Sequence, residues 1–289
     1  MVVSSGTFGY AEEFKDFMDL KELGAIVTKT ITLQPRQGNP SPRTCETPAG
    51  MLNSIGLENP GMDKFIAEKL PLLGKIGVPI IVSIASEDNP QEFVSLAQRL
   101  DKIKEVAAIE LNISCPNIKS HIAKLIAQDA NATHELVSAV RKATKKTLIT
   151  KLSPNVTDIT EIALAAERAG SDAVSLVNTF TGMSIDAETR KPKIASVTGG
   201  LSGPAIRPIA VRMVWEVYQK IKIPIVGMGG IMDASSALEF ILAGATAISV
   251  GTANFINPKA SIEIIEGIKK YLIKNKIKDI KTFIGSLRT

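Results

Sequence analysis

Eight short apolar runs recur along the chain, at residues 2–6, 25–29, 79–83, 107–113, 147–151, 173–178, 223–227 and 247–251. Each has the length and β-branched content of a buried strand. Between them, residues 90–100, 132–143, 159–169 and 234–243 carry apolar side chains at helical spacing. Strands alternating with helices imply parallel pairing, and eight such units predict a closed α/β barrel, the (β/α)8 or TIM barrel. An open doubly wound sheet is the alternative, weakened because no G-x-G-x-x-G turn follows the first run. No linker, repeat or low-complexity tract interrupts the pattern, so residues 1–289 are expected to form one domain.

The predicted strands share a feature that packing does not require. Their C-terminal ends carry Ser5-Gly6, Lys29-Thr30, Asn112, Lys151, Asn178-Thr179, Gly229-Gly230 and Gly251-Thr252. In a barrel these ends meet on one face, where active sites form. Two connections on that face, residues 31–61 and 179–208, are long and rich in glycine and proline. Long connections in a compact domain are typically functional, and glycine lets backbone approach a ligand, so both are expected to wall the site.

Composition narrows the class. Of the 289 residues 45% are hydrophobic but only 4% aromatic, which suits a parallel sheet covered on both faces. The net charge of +5 is concentrated in lysines near residues 269–281, read as a solvated helix face. No aromatic-interleaved basic motif or zinc-finger spacing supports nucleic-acid binding. The two cysteines, Cys45 and Cys115, form no C-x-x-C, so neither a disulfide framework, a zinc site nor a cysteine-ligated iron–sulfur cluster is expected, and no metal site is assigned. No apolar run is long enough to span a bilayer and no signal peptide is evident, giving a cytoplasmic protein as the expectation.

The densest chemistry lies in Leu111-Asn112-Ile113-Ser114-Cys115-Pro116-Asn117, at the exit of the fourth run. Two neutral amides flank a thiol that becomes a base or nucleophile if its pKa falls from about 8.5. For an isolated Ser-Cys-Pro a buried, inert cysteine is the better reading. The strand-end residues elsewhere favour a site, with Cys115 as proton-transfer candidate. Gly229-Gly230 and Gly251-Thr252 follow strands seven and eight, where barrels commonly hold phosphate on backbone N–H groups. Gly203 could close the same site, and tight strand–helix turns are the alternative. Lys29 and Lys151 could neutralise an anion, form a Schiff base or solvate a rim. The amides Asn53, Asn112, Asn117 and Asn178 suit a planar imide and a flavin ring better than sugar-phosphate cleavage. His121 and His134 read as surface residues and Cys45 as structural.

The segments Met51-Leu52-Asn53-Ser54-Ile55-Gly56-Leu57, Leu111 to Asn117, Lys151-Leu152-Ser153-Pro154-Asn155, Gly199-Gly200-Leu201-Ser202-Gly203-Pro204 and Gly227-Met228-Gly229-Gly230-Ile231 together resemble class 1 dihydroorotate dehydrogenase. The Lys-Leu-Ser-Pro-Asn and Thr-Gly-Gly-Leu-Ser-Gly-Pro segments are most similar to the class 1B catalytic subunit. That subclass is linked to NAD+ through a partner subunit carrying FAD and a [2Fe–2S] cluster. The resemblance implies FMN-dependent oxidation of dihydroorotate to orotate in de novo pyrimidine (UMP) biosynthesis. It implies Cys115 as the base at C5 and hydride transfer from C6 to N5 of FMN. It assigns the substrate to Lys29, Asn53, Ser54, Ile55, Gly56, Leu57, Asn112, Asn117, Asn178 and Thr179. It assigns FMN to Ser5, Gly6, Lys29, Thr30, Asn112, Lys151, Val177, Gly203, Gly229, Gly230, Gly251 and Thr252. It further implies a homodimer, and a heterotetramer with the FAD/[2Fe–2S] subunit.

The membrane-bound class 2 enzymes have serine at the Cys115 position and an N-terminal extension. Three departures from class 1 stand out: the sequence begins almost at strand one, residues 118–127 lack the family's lid glycines, and Ser83 replaces an asparagine that contacts flavin. A dihydropyrimidine dehydrogenase-like enzyme, a fumarate-linked flavoenzyme and a catalytically silent flavin-binding barrel are the alternatives.

Overall fold

A computed structural model gives the fold, and the structure describes residues 1–87, 89–114 and 126–288. Eight strands form the barrel: β1 Val2–Val3, β2 Ala25–Val27, β3 Ile80–Ile84, β4 Val106–Asn112, β5 Thr147–Lys151, β6 Ala173–Leu176, β7 Ile225–Met228 and β8 Ala247–Val250. All neighbours pair in parallel, and the sheet is closed in the order β1-β8-β7-β6-β5-β4-β3-β2. Closure runs through the first residues of the chain, with Val2 paired to Ser249 on one side and Ala25 on the other. The predicted (β/α)8 barrel is therefore present.

Burial on both faces explains why continuous apolar runs became strands. All five residues of β3 are buried. Ala25, Val27, Ile81, Ala108, Ile149 and Ala173 pack together inside the barrel, while a larger cluster fills the space between sheet and helices. Side chains alternate across a strand, so Glu110 and Asn112 share the inward face with Ala108. The barrel interior thus changes from apolar to polar toward the strand C-terminal ends.

The four expected helices occupy Pro90–Asp101, Ala130–Ala143, Ile159–Arg168 and Ala234–Leu242. Each starts where an Asn or Asp side chain accepts a backbone N–H: Asn89 from Gln91, Asp129 from Ala132, Asp158 from Thr160 and Asp233 from Ser236. Half of the lysines at 269–281 lie on the helix Ala260–Lys274, which buries Ile264 and Ile268 and exposes Lys269, Lys270 and Lys274; Lys276, Lys278 and Lys281 follow it.

The two long connections are not irregular walls. Strands Thr44–Thr47, Gly50–Asn53, Thr198–Ser202 and Phe180–Met183 form a four-stranded antiparallel sheet in that order. Gly200 pairs with Asn53 and with Thr181, so the connection after β2 is stitched to the connection after β6. These two strands lie on opposite sides of the barrel order, and the small sheet therefore bridges the barrel mouth. Among the described residues no helix is long and apolar enough to cross a membrane, and no group of three His, Cys, Asp or Glu could hold a metal ion.

Candidate active site

The strand C-terminal ends and the bridging sheet enclose a cavity of about 810 Å3. Of the residues singled out in the sequence, Ser5, Gly6, Lys29, Thr30, Asn53, Ile55, Gly56, Leu57, Asn112, Lys151, Val177, Asn178, Thr179, Gly203, Gly229, Gly230, Gly251 and Thr252 line it. Ser54 does not. It is buried, its N–H donates to the Arg43 carbonyl and its hydroxyl accepts from Asn39, so it braces the loop. Cys115, Asn117, His121 and the glycine-free segment through Leu125 lie outside the described residues.

One wall is a continuous hydrogen-bonded chain of neutral side chains. Ser5 Oγ and Thr30 Oγ1 are 2.9 Å apart, and Asn112 Nδ2 donates to Thr30 Oγ1 at 3.0 Å. Ser114 Oγ donates to Asn112 Oδ1 at 3.1 Å, and Asn178 Nδ2 donates to Ser114 Oγ at 2.9 Å and to its carbonyl at 3.1 Å. Ser114 is thus held at three points, by Asn112 and by Asn178. Asn178 Oδ1 accepts from Thr179 N–H at 2.8 Å, and Asn155 Nδ2 donates to the Thr179 backbone carbonyl at 3.0 Å. Fixed amides present donors and acceptors in a set geometry without net charge. Ser83 stands behind this wall: fully buried, it meets Thr30 Oγ1 at 2.9 Å and does not line the cavity.

The opposite wall is backbone. Gly230 has φ +76°, and a Cβ there would sit 2.7 Å from the Gly203 carbonyl oxygen. Gly203 has φ +95°, and its Cβ would sit 2.7 Å from the Gly50 Cα. Only glycine tolerates both the conformation and the approach. The turn is anchored beyond by Asp233, whose carboxyl is held below its ordinary range by the Ser236 backbone N–H and then the Ser236 hydroxyl. Thr252 Oγ1 donates to Ser202 Oγ at 2.9 Å, tying the end of β8 to the bridging sheet.

Lys151 joins the two walls. It is the last residue of β5, only 5% exposed, and no described residue gives its ammonium a hydrogen bond or ion pair. A cation at the cavity wall, largely shielded from bulk water, fits an electron-rich ligand in the cavity. A backbone anion cradle, a buried ammonium and a neutral polar wall together fit a phosphorylated, polar ring cofactor such as FMN.

Several lining residues were not singled out individually in the sequence, although the connection 31–61 was expected to wall the site. Glu46, Thr47, Pro48 and Ala49 belong to the hairpin of the bridging sheet, and Phe255 and Ile256 to the short helix Ala253–Ile256. They reach the cavity through pairing and turns that hydrophobic periodicity does not encode.

In fold and cavity this is a (β/α)8-barrel protein that opens at the strand C-terminal ends, the face where barrel enzymes carry out chemistry. The chain belongs to the dihydroorotate dehydrogenase family, whose sequence profile matches residues 1–272. It is 54% identical over 289 residues to a protein of Geotalea uraniireducens (strain Rf4), covering 100% of this chain and 94% of that one. It is 55% identical over 287 residues to a protein of Trichlorobacter lovleyi, covering 99% and 94%. A Desulforamulus reducens relative is 51% identical over 286 residues, covering 99% and 93%. All three are named dihydroorotate dehydrogenase B (NAD(+)), catalytic subunit.

Proposed function

We propose that this chain is the catalytic subunit of an NAD-linked, class 1B dihydroorotate dehydrogenase, oxidising dihydroorotate to orotate in de novo pyrimidine (UMP) biosynthesis. The observation that carries the reading is one cavity with a glycine backbone cradle on one wall and a fixed row of neutral amides on the other. The 289 residues act as a single FMN-binding domain. The backbone at Gly203, Gly229-Gly230 and Gly251-Thr252 takes the FMN phosphate, with Ser5, Gly6, Thr30 and Val177 along the cofactor. When bound, FMN supplies the hydride acceptor.

The protein's own contribution is placement and proton handling. Lys151 sets a positive charge where electron density grows, which is electrostatic stabilisation by a preorganised group. Asn53, Asn112, Asn117, Asn178 and Thr179 hold the flat amide edges of the substrate, Lys29 its carboxylate, and the backbone of residues 55–57 closes over it. Ser54 supports that loop. Cys115, emerging from the fixed Ser114, takes the proton from C5. The bridging sheet covers the mouth and limits access of water.

The purified protein is expected to be yellow, with about one FMN per chain, and to bleach on anaerobic addition of dihydroorotate. Colourless protein that takes up no added FMN would overturn the flavoenzyme reading, and bound flavin that dihydroorotate leaves oxidised would overturn the substrate.

Alanine at Asn53 or Asn178 is expected to weaken orotate binding roughly tenfold or more, since losing one partner of a buried hydrogen bond costs about 1–3 kcal/mol. The measurement is a titration of the flavin absorbance with orotate. Unchanged affinity in both variants would exclude this pocket. The reading also includes a cytoplasmic location, a homodimer, and a heterotetramer with an FAD/[2Fe–2S] subunit, testable by co-purification from the native cell.

A further inference from the structure

Glu110 is a carboxyl group inside the barrel that the proposed chemistry does not use. It lies two residues before Asn112 on β4, about 6.6 Å down the strand from the cavity wall, and is 3% exposed. Its Oε2 accepts from the Ser175 hydroxyl at 3.1 Å. Its Oε1 is buried without any hydrogen-bond partner, a condition shared among the described residues only by the Tyr10 hydroxyl. A buried acceptor left without a donor is destabilising, so its presence calls for an explanation.

The register supplies one. Glu110 is on β4 and Ser175 on β6, and β5 runs between them. Lys151 is paired to Asn112 on one side and to Ser175 on the other. The Ser175–Glu110 hydrogen bond therefore crosses the inner face of the strand that carries Lys151. The alternation of side chains along a strand puts Lys151 on that same face. Two groups of opposite formal charge thus lie at neighbouring levels of the barrel interior, Glu110 with one oxygen unpartnered and Lys151 at the cavity wall above it. An ammonium fully neutralised by contact would offer little to a ligand. One with its counter-charge held a short distance below keeps a limited, tuned pull on the cavity.

We propose that Glu110 is the buried counter-charge to Lys151 and sets how strongly the cavity favours the electron-rich, reduced form of its ring cofactor. It is a positioning residue that acts on the cofactor through the field, without touching it. The inference rests on the FMN reading above. Its direction follows from the signs. A negative charge beneath the ring disfavours added electrons, so removing it favours the reduced form. At an effective dielectric of about 20, a unit charge roughly 10 Å away changes an equilibrium by about an order of magnitude.

The test is the FMN reduction potential, measured by anaerobic equilibration with a reference dye and followed by absorbance. Glu110→Gln is expected to raise the ratio of reduced to oxidised flavin at fixed potential about tenfold, which is about 30 mV for a two-electron couple. Glu110→Asp, which keeps the charge, should stay within about threefold of wild type. If Glu110→Gln does not fold, Glu110→Leu combined with Ser175→Ala removes the charge and the orphaned hydroxyl together, a change that is often near neutral for stability. The same tenfold shift is expected of it.

Variants that hold FMN at the wild-type ratio would overturn the proposal. So would loss of FMN from both charge-free variants while wild type retains it, because that marks a purely structural role. Wild-type protein that takes up no FMN would instead remove the flavin reading, and this inference with it.

Discussion

Replacing Cys115 with alanine is expected to slow reduction of bound flavin by dihydroorotate by about 10²–10⁴-fold, the usual contribution of a general base, with FMN still bound. Apart from Cys115, the ionisable side chains available are few. Among the described residues that line the cavity, only Lys29, Lys151 and Glu46 carry ionisable side chains. The two lysines stand where positive charge is useful, and Glu46 is exposed on the hairpin at the mouth. Cys115 instead follows Ser114, whose hydroxyl and carbonyl are both held by Asn178 at 2.9 and 3.1 Å. Rate should rise with pH through a thiol-like pKa, near 8.5 before any environmental shift, because the deprotonated form is the base. Cys115→Ser should keep slightly more activity than Cys115→Ala at high pH, since a hydroxyl is a far weaker acid. Glu46→Gln is the control and should reduce at the wild-type rate. The measurement is anaerobic stopped-flow flavin reduction. A wild-type rate in Cys115→Ala, or a collapse in Glu46→Gln, would move the base to the hairpin.

The barrel was legible because its strands are buried on both faces. A run such as Ile80–Ile84 has no reason to alternate when every residue is covered. The helices were legible through the spacing of their apolar side chains, as in Pro90–Asp101. The bridging sheet was not. Thr44–Thr47 is Thr-Cys-Glu-Thr, half exposed and without an apolar face, and its sheet depends on Gly200 pairing with Asn53 far away in sequence. No local propensity encodes such a pairing. The residues singled out at strand ends converge because a barrel gathers its C-terminal ends on one face. Glu46 reaches the same cavity from the bridging sheet, and Phe255 and Ile256 from the short helix Ala253–Ile256, elements whose placement the local pattern does not specify. Glu110 was hidden by its neighbours, since one charge inside an apolar run reads as part of the strand.

The purified chain is expected to pass electrons from dihydroorotate to artificial dyes, and slowly to oxygen, but not to NAD+. An all-cysteine [2Fe–2S] cluster needs four cysteine ligands, and this sequence has two cysteines. The first βα turn lacks the glycine fingerprint that holds a dinucleotide pyrophosphate. The cavity of about 810 Å3 is the place proposed for FMN and substrate together. An acceptor must then reach the flavin from outside. The names of the relatives couple a catalytic subunit to NAD(+), which supports a separate electron-transfer subunit here. Adding that subunit, with its FAD and cluster, should create NAD+ reduction from none. Fumarate should be a poor acceptor, because the segment around Gly199-Gly200 follows the class 1B pattern. The measurement is anaerobic turnover with dihydroorotate and each acceptor in turn, with and without the partner. Brisk reduction of fumarate, or of NAD+ by the chain alone, would overturn the class 1B assignment while leaving the oxidation of dihydroorotate in place.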